Sequence, residues 1–160
     1  PNTVAFVDDG RTLLFADSAH GLQDPANLPQ AKGRLLKLPI NEDGSPGEAA
    51  VFWEAQGDGE TPDGFTIGAS GRVYVALAVA NTVAIISPDG EEIARVPRSP
   101  EENAERDVPF NLPGGVAFLG SDLLVTNQVF LGGDEEQNVI FKIRVHDTGK
   151  KPFRPHIPRA

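Results

Sequence analysis

No cysteine and no methionine occurs among the 160 residues, so disulfides, zinc–thiolate centres and thiol catalysis are excluded for this chain. That absence leaves the compartment open. Basic residues are few, 14 against 23 acidic, for a net charge of −9, and they are scattered. A polyanion partner needs a basic patch that displaces counterions, so no nucleic-acid partner is expected. No apolar run approaches the roughly 20 residues of a membrane helix, and no membrane partner is expected either. Aromatic residues make up 7%, with Trp53 and Tyr74 each the sole example of its type.

What the chain does contain is a repeat. Pro1-Asn2-Thr3-Val4-Ala5-Phe6, Pro62-Asp63-Gly64-Phe65-Thr66-Ile67 and Pro113-Gly114-Gly115-Val116-Ala117-Phe118 start at intervals of 61 and 51 residues. Each pairs a proline with a short polar or small residue and then an apolar run. A turn and a second apolar segment follow each: Thr12 to Ser18, Arg72 to Ala76, and Asp122 to Asn127. A third strand follows at Gly33–Leu38, Asn81–Ile86 and Asn138–Ile143. Repeats built only of short strands between Gly, Asp, Asn and Pro indicate an all-β, radial or stacked architecture. We read it as a β-propeller of four-stranded blades, with blades at 1–56, 62–98 and 113–146 and an extended tail over 147–160.

Three blades make an open half-ring, because propellers close with about 4–8. The chain is therefore expected to be the C-terminal part of a longer protein, or one piece of a processed one, with the remaining blades supplied by its parent chain or another chain. The third blade shows three strands and should receive its fourth from elsewhere. An open ring exposes strand edges and an apolar blade face, so self-association or completion is expected. Ser99-Pro100-Glu101-Glu102 fits a capping box with proline at the first helical position, the one helical turn expected. Proline at 152, 155 and 158 makes the tail extended.

Strand alternation sorts the connections between two faces. The short turns Asp9-Gly10, Asp43-Gly44, Ser70-Gly71, Asp89-Gly90 and Gly120-Ser121 leave one face. The long connections, 18–32, 57–61, 99–112 and 128–137, leave the other, where function usually resides. Asp-Gly between two strands of one blade is a hairpin turn. Asp63-Gly64 is different: it follows an inter-blade connection and opens an innermost strand, and Asn2 holds the equivalent place one repeat earlier. A carboxylate and an amide carbonyl converging from adjacent blades are hard oxygen donors suited to Ca²⁺ or a similar divalent ion. Capping of the two strand ends is the alternative.

These residues also resemble the regucalcin (senescence marker protein)/gluconolactonase family. The resemblance is carried by Pro62-Asp63-Gly64 leading into Phe65–Ala76, and by Pro1-Asn2 with Asp9-Gly10-Arg11-Thr12-Leu13 and Ala16-Asp17-Ser18. It continues through Gly33-Arg34 to Asp43-Gly44-Ser45-Pro46-Gly47-Glu48 and Ser87-Pro88-Asp89-Gly90-Glu91, covering most of 1–127. It implies a six-bladed propeller hydrolysing a sugar lactone or related small ester around one axial metal, most consistent with Ca²⁺. Asn2 and Asp63 then correspond to two metal ligands, Asp63 assists the attacking water, and a glutamate ligand would lie upstream. Thr3 departs from the glycine that the family usually places there.

Weaker pocket candidates on the long-loop face are Asp17, Ser18, His20, Asn81 and Asn127, for each of which a turn, strand-end or solvated role is the alternative. Ser18 has no histidine at a triad-like spacing. Asp134-Glu135-Glu136 could meet a cation or form a solvated loop. His146 and His156 are read as structural, and Trp53 and Phe52 as packing between blades. Two other functions remain open from the sequence: a non-catalytic propeller that binds a ligand or protein, and a strictosidine-synthase-like propeller with a metal-free pocket. In each case the isolated half-ring is expected to be inactive.

Overall fold

Among the described residues, apolar residues alternating between glycine-bearing turns form eleven strands in three antiparallel sheets. The computed structural model describes residues 2–8, 10–129, 134–151 and 153. The first sheet is β1 (Val4–Phe6), β2 (Thr12–Asp17), β3 (Arg34–Pro39) and β4 (Ala50–Glu54). The second is β5 (Pro62–Ile67), β6 (Val73–Leu77), β7 (Thr82–Ile86) and β8 (Glu92–Val96). The third is β9 (Pro113–Leu119), β10 (Asp122–Asn127) and β11 (Ile140–Arg144). Sequential strands are neighbours in every sheet, in the pattern of blades in a partial β-propeller. The hairpin glycines Gly10, Gly44, Gly71, Gly90 and Gly120 all have φ between 62° and 90°, the left-handed backbone that side chains resist.

The middle blade has neighbours on both faces, and its sequence shows it. All five residues of β6 are buried. Val73, Val75 and Leu77 enter the core shared with the first blade, beside Leu14, Leu35 and Trp53. Tyr74 points the other way, with Val83 and Phe110, against Leu123 and Val125 of the third blade. The two-residue period of a strand thus distributes one apolar run between two interfaces. Trp53 is 6% exposed and Phe52 packs against the same cluster. β11, by contrast, alternates exposed and half-buried residues, and Ile140 is 67% exposed.

The inner strands approach at glycine. A Cβ on Gly64 would collide with the Gly114 carbonyl and lie 3.1 Å from the Gly115 Cα, so β5 and β9 meet backbone to backbone. On the short-turn face the chain after β11 crosses to the second blade. Lys150 N donates to Ile67 O (2.9 Å), Gly149 bridges Gly68, and Ala69 N donates to Thr148 O (2.7 Å). Asp147 accepts from the Ser70 hydroxyl and from Tyr74 Oη at 3.1 Å. Burial, then the neighbouring Asp147 charge, pushes the Tyr74 hydroxyl up to about 12. Phe153 reaches the first blade, edge-on to Phe6 with ring centroids 4.9 Å apart.

One expectation is corrected. The capping box does form, with Ser99 Oγ accepting from Glu102 N (3.2 Å) at the start of α1 (Pro100–Ala104). It is joined by two unexpected 3₁₀ segments, Pro25–Gln30 and Glu135–Gln137. Aspartate starts both: Asp24 accepts from Ala26 N and Asp134 from Glu136 N, local bonds that replace a regular helix cap. Asp134-Glu135-Glu136 is therefore an exposed turn. His146 is exposed, while the readings on Asp9 and on His156 with the last prolines lie outside the described residues. Among the described residues no helix is long and apolar enough to cross a membrane.

The backbone contact makes a specific prediction. Gly64→Ala should destabilise the protein by about 1–3 kcal/mol through overpacking, read as a lower denaturation midpoint. An unchanged midpoint would show that β5 and β9 can separate freely.

Candidate functional site

Asp63 is aimed by an irregular strand. In β5, Pro62 faces Leu77 but Phe65 faces Val75, so one extra residue is accommodated at Asp63-Gly64. Such a bulge bends the strand and redirects a side chain. The same shift recurs in β9, where Pro113 faces Asn127 and Val116 faces Val125. In the first blade Asn2 N donates to Ala16 O (3.1 Å) while Ala16 N donates to Thr3 O (3.0 Å). Thr3 is thereby absorbed into the pairing with β2, and the Asn2 side chain remains directed at Asp63. Asn2 Nδ2 donates to Asp63 Oδ1, joining the openings of two blades.

The segment that delivers Asp63 is itself held firmly. Glu60 is 6% exposed and accepts from Gln56 N (3.1 Å), Gly57 N (2.9 Å) and Arg95 Nη1 (2.7 Å). Burial opposes the Glu60 charge, but the Gly57 N–H and Arg95 outweigh it and hold its carboxyl below the usual range. Ala78 N donates to Thr61 O (3.0 Å), tying the residue before Pro62 to the end of β6. Glu60 is thus an anchor of the connection.

A cavity of about 290 Å³ opens beside Asp63. Its polar lining is Asn2, Ser18, Thr61, Asp63 and Gln128, and its apolar lining includes Leu28, Pro62, Ala78, Val79 and Leu112. Residues from all three blades therefore meet there. Half-burial raises the Asp63 pKa, and the Asn2 amide offsets only part of that rise. No Lys, Arg or His pairs with Asp63 among the described residues. A desolvated carboxylate beside one amide is a partial fit for a hard divalent cation, whose shell takes about 6–8 oxygens for Ca²⁺. Among the described residues no group of three His, Cys, Asp or Glu side chains gathers to complete it. Asn2 and Asp63 supply two donors, and further donors would have to come from outside these residues.

The remaining candidates separate clearly. Ser18 lines the cavity; Asp17, His20, Asn81 and Asn127 are not among its lining residues. Asp17 accepts from Arg34 Nε (3.0 Å), and His20 Nδ1 lies 3.2 Å from the same oxygen. Asn81, with φ of 53°, accepts from Leu112 N (2.8 Å) and so links the second blade to the third. Asn127 is 7% exposed; it accepts from Asn111 N and donates to Pro109 O and Gln137 O. Their hydrogen bonds hold loops and strand ends. Gln128 was not singled out by the sequence, yet it carried a signal. The third repeat has Gly114 where the others have Asn2 and Asp63, and the Gln128 amide packs into the space that a Cβ there would need.

The family model for the SMP-30/gluconolactonase/LRE-like region matches residues 1–124. No curated protein matches significantly. Among solved structures, the calcium-binding protein regucalcin from Agrobacterium tumefaciens strain C58 aligns over 94% of this chain and 48% of its own, at 25% identity and TM-score 0.66. A luciferin-regenerating enzyme aligns over 98% of this chain and 48% of its own, at 18% identity and TM-score 0.62. A protein assigned as a gluconolactonase aligns over 94% and 40%, at 20% identity and TM-score 0.55. The last two similarities concern the fold. This chain spans about half the length of the solved relatives that it matches.

The raised Asp63 pKa has a consequence for stability. A carboxyl whose folded value exceeds its unfolded value stabilises the fold below the unfolded value and loses that contribution as pH rises through the folded one. In metal-free protein, Asp63→Asn should therefore raise the melting temperature at pH 7. The difference should shrink as the pH falls below about 4, near the ordinary aspartate value. A lower melting temperature for the variant at pH 7 would contradict this.

Proposed function

Because this chain belongs to the SMP-30/gluconolactonase/LRE-like family, we propose that it forms half of a metal-dependent lactonase, hydrolysing a lactone or related small ester. The observation that carries the reading is the Asn2–Asp63 pair at the mouth of a three-blade cavity. Asn2 and Asp63 would hold the metal, with calcium favoured by their oxygen chemistry. Regucalcin of A. tumefaciens is described as calcium-binding. When bound, such an ion polarises the carbonyl and stabilises charge developing on its oxygen.

The chain's own residues do the rest. Asn2 donates to Asp63 Oδ1, which fixes the carboxylate, and no hydrogen bond among the described residues occupies Oδ2, which can accept a proton. Asp63 receives that proton from the water attacking the lactone carbonyl carbon. It returns the proton to the ring oxygen as the acyl C–O bond breaks, giving a hydroxy acid. Asp63 suits this exchange by position, since it lies at the cavity within reach of a water attacking a bound carbonyl. The walls of the cavity hold the substrate and exclude water from the remaining faces. The blades that complete the ring would come from the parent chain or another chain, with the open edge of β11 as one place of attachment.

The test is hydrolysis of δ-lactones by the full-length protein with and without calcium. Chelation should abolish turnover reversibly, and Asp63→Asn should lower kcat by about 10²–10⁴. Full activity in the variant would remove Asp63 from the mechanism, and full activity in chelator would remove the metal. Calcium binding without turnover of any lactone or ester would instead identify a non-catalytic propeller.

A further inference from the structure

The walls of the cavity differ chemically from its reacting end. We propose that the substrate is an uncharged lactone carrying an apolar substituent, rather than a polyhydroxylated or anionic sugar lactone; this rests on the hydrolytic reading above. Leu28, Val79 and Leu112 face the space beside Asp63, supported by Pro62 and Ala78. They come from three separate segments: the 3₁₀ turn at Pro25–Gln30, the connection after β6, and the approach to β9. The apolar wall is therefore assembled by the fold and is not one exposed strand.

The polar inventory points the same way. Asn2 and Asp63 are committed to each other at the reacting end. Thr61 Oγ1 donates to Gly59 O and accepts from Val79 N, both at 3.4 Å, so it is turned to its own loop. Among the described lining residues, Ser18 and Gln128 are the polar side chains left to meet a substrate. A sugar lactone brings a hydroxyl on most ring carbons, and each one desolvated without a partner is costly. An alkyl or aryl substituent gains on transfer to the same wall. Charge is disfavoured as well. Among the described residues no Lys, Arg or His lines the cavity, so a charged substituent lying against the wall, away from the reacting end, would be desolvated without a partner.

The experiment compares kcat/KM of the full-length protein, with calcium, for δ-valerolactone, δ-octalactone, δ-decalactone and glucono-δ-lactone. Each methylene buried should raise kcat/KM by about threefold to fourfold, so the alkyl series should climb and end above the sugar lactone. Val79→Asn and Leu28→Asn should each flatten the series. A flat series in the unaltered protein, or glucono-δ-lactone as the best substrate, would overturn the proposal. If no lactone is turned over, the hydrolytic reading fails, and substrate preference is then read by calorimetry with the corresponding non-hydrolysable δ-lactams. Tighter binding of the alkyl lactam would support an apolar ligand, and tighter binding of the polyhydroxylated lactam would overturn it.

Discussion

Backbone contact between β5 and β9 is the constraint on which the rest of the structure depends. Blades arranged around an axis taper inward, so inner strands come closest where side chains have least room. Gly64 meets Gly114 and Gly115 there, in positions that a Cβ would block. Both strands also bulge at this level. The bulge and the missing side chains are two parts of one solution: the strand bends, and the residue before the bulged glycine is turned toward the cavity. In the second blade that residue is Asp63. In the third it is absent as a side chain, and Gln128 fills the vacancy. Site geometry is thus a consequence of how closely the blades pack.

The interfaces between blades follow from the same arrangement. β6 shows no alternation of hydrophobicity because each of its faces is an interface. β2 keeps the pattern expected of a blade covered mainly on one side, burying Leu14 and Ala16 while Leu13 and Phe15 stay half-buried. Aromatic residues sit at the seams. Trp53 fills the first, while Tyr74 stacks edge-on to Phe118 across the second, and Phe110 of the connection before β9 to Phe141 of β11, with centroids 5.1 and 4.6 Å apart. A chain with so few aromatics has concentrated them where blades must not slide.

The fold was legible in the sequence because strands, turns and repeats are local signals. Gly10, Gly44, Gly71, Gly90 and Gly120 announce hairpins through their backbone freedom, and the proline-led motifs announce blade starts. Asp63 could be distinguished from the hairpin aspartates by its position after an inter-blade connection, and it lies within β5 rather than at a turn. The 3₁₀ segments were not legible, because a side-chain bond such as Asp24 to Ala26 leaves no periodicity. Which loop residues face the cavity was also hidden. Asn81 and Asn127 share the long-loop face with Ser18, but only tertiary hydrogen bonds reveal that their amides secure neighbouring backbone. Val79 and Leu112 read as ordinary apolar residues until the blades are brought together.

Two carboxylates at opposite ends of β5 show why Asp63 stands apart. Asp147 lies at the far end and is partly desolvated, yet donors surround it: the Ser70 hydroxyl and N–H, Thr148 N and Tyr74 Oη. They outweigh the effect of burial and hold its carboxyl below the usual range. Asp63 has one neutral amide, and burial prevails. A carboxylate intended only for stability would be surrounded as Asp147 is, or left to water. Asp63 instead keeps lone pairs that no charged donor among the described residues fills, at a cost in local stability in the metal-free state. The rigid clamp on the preceding loop, Glu60 with Arg95 and two backbone N–H groups, shows how the fold sustains that exposure. It satisfies one acid fully so that its near neighbour can remain under-satisfied and in place.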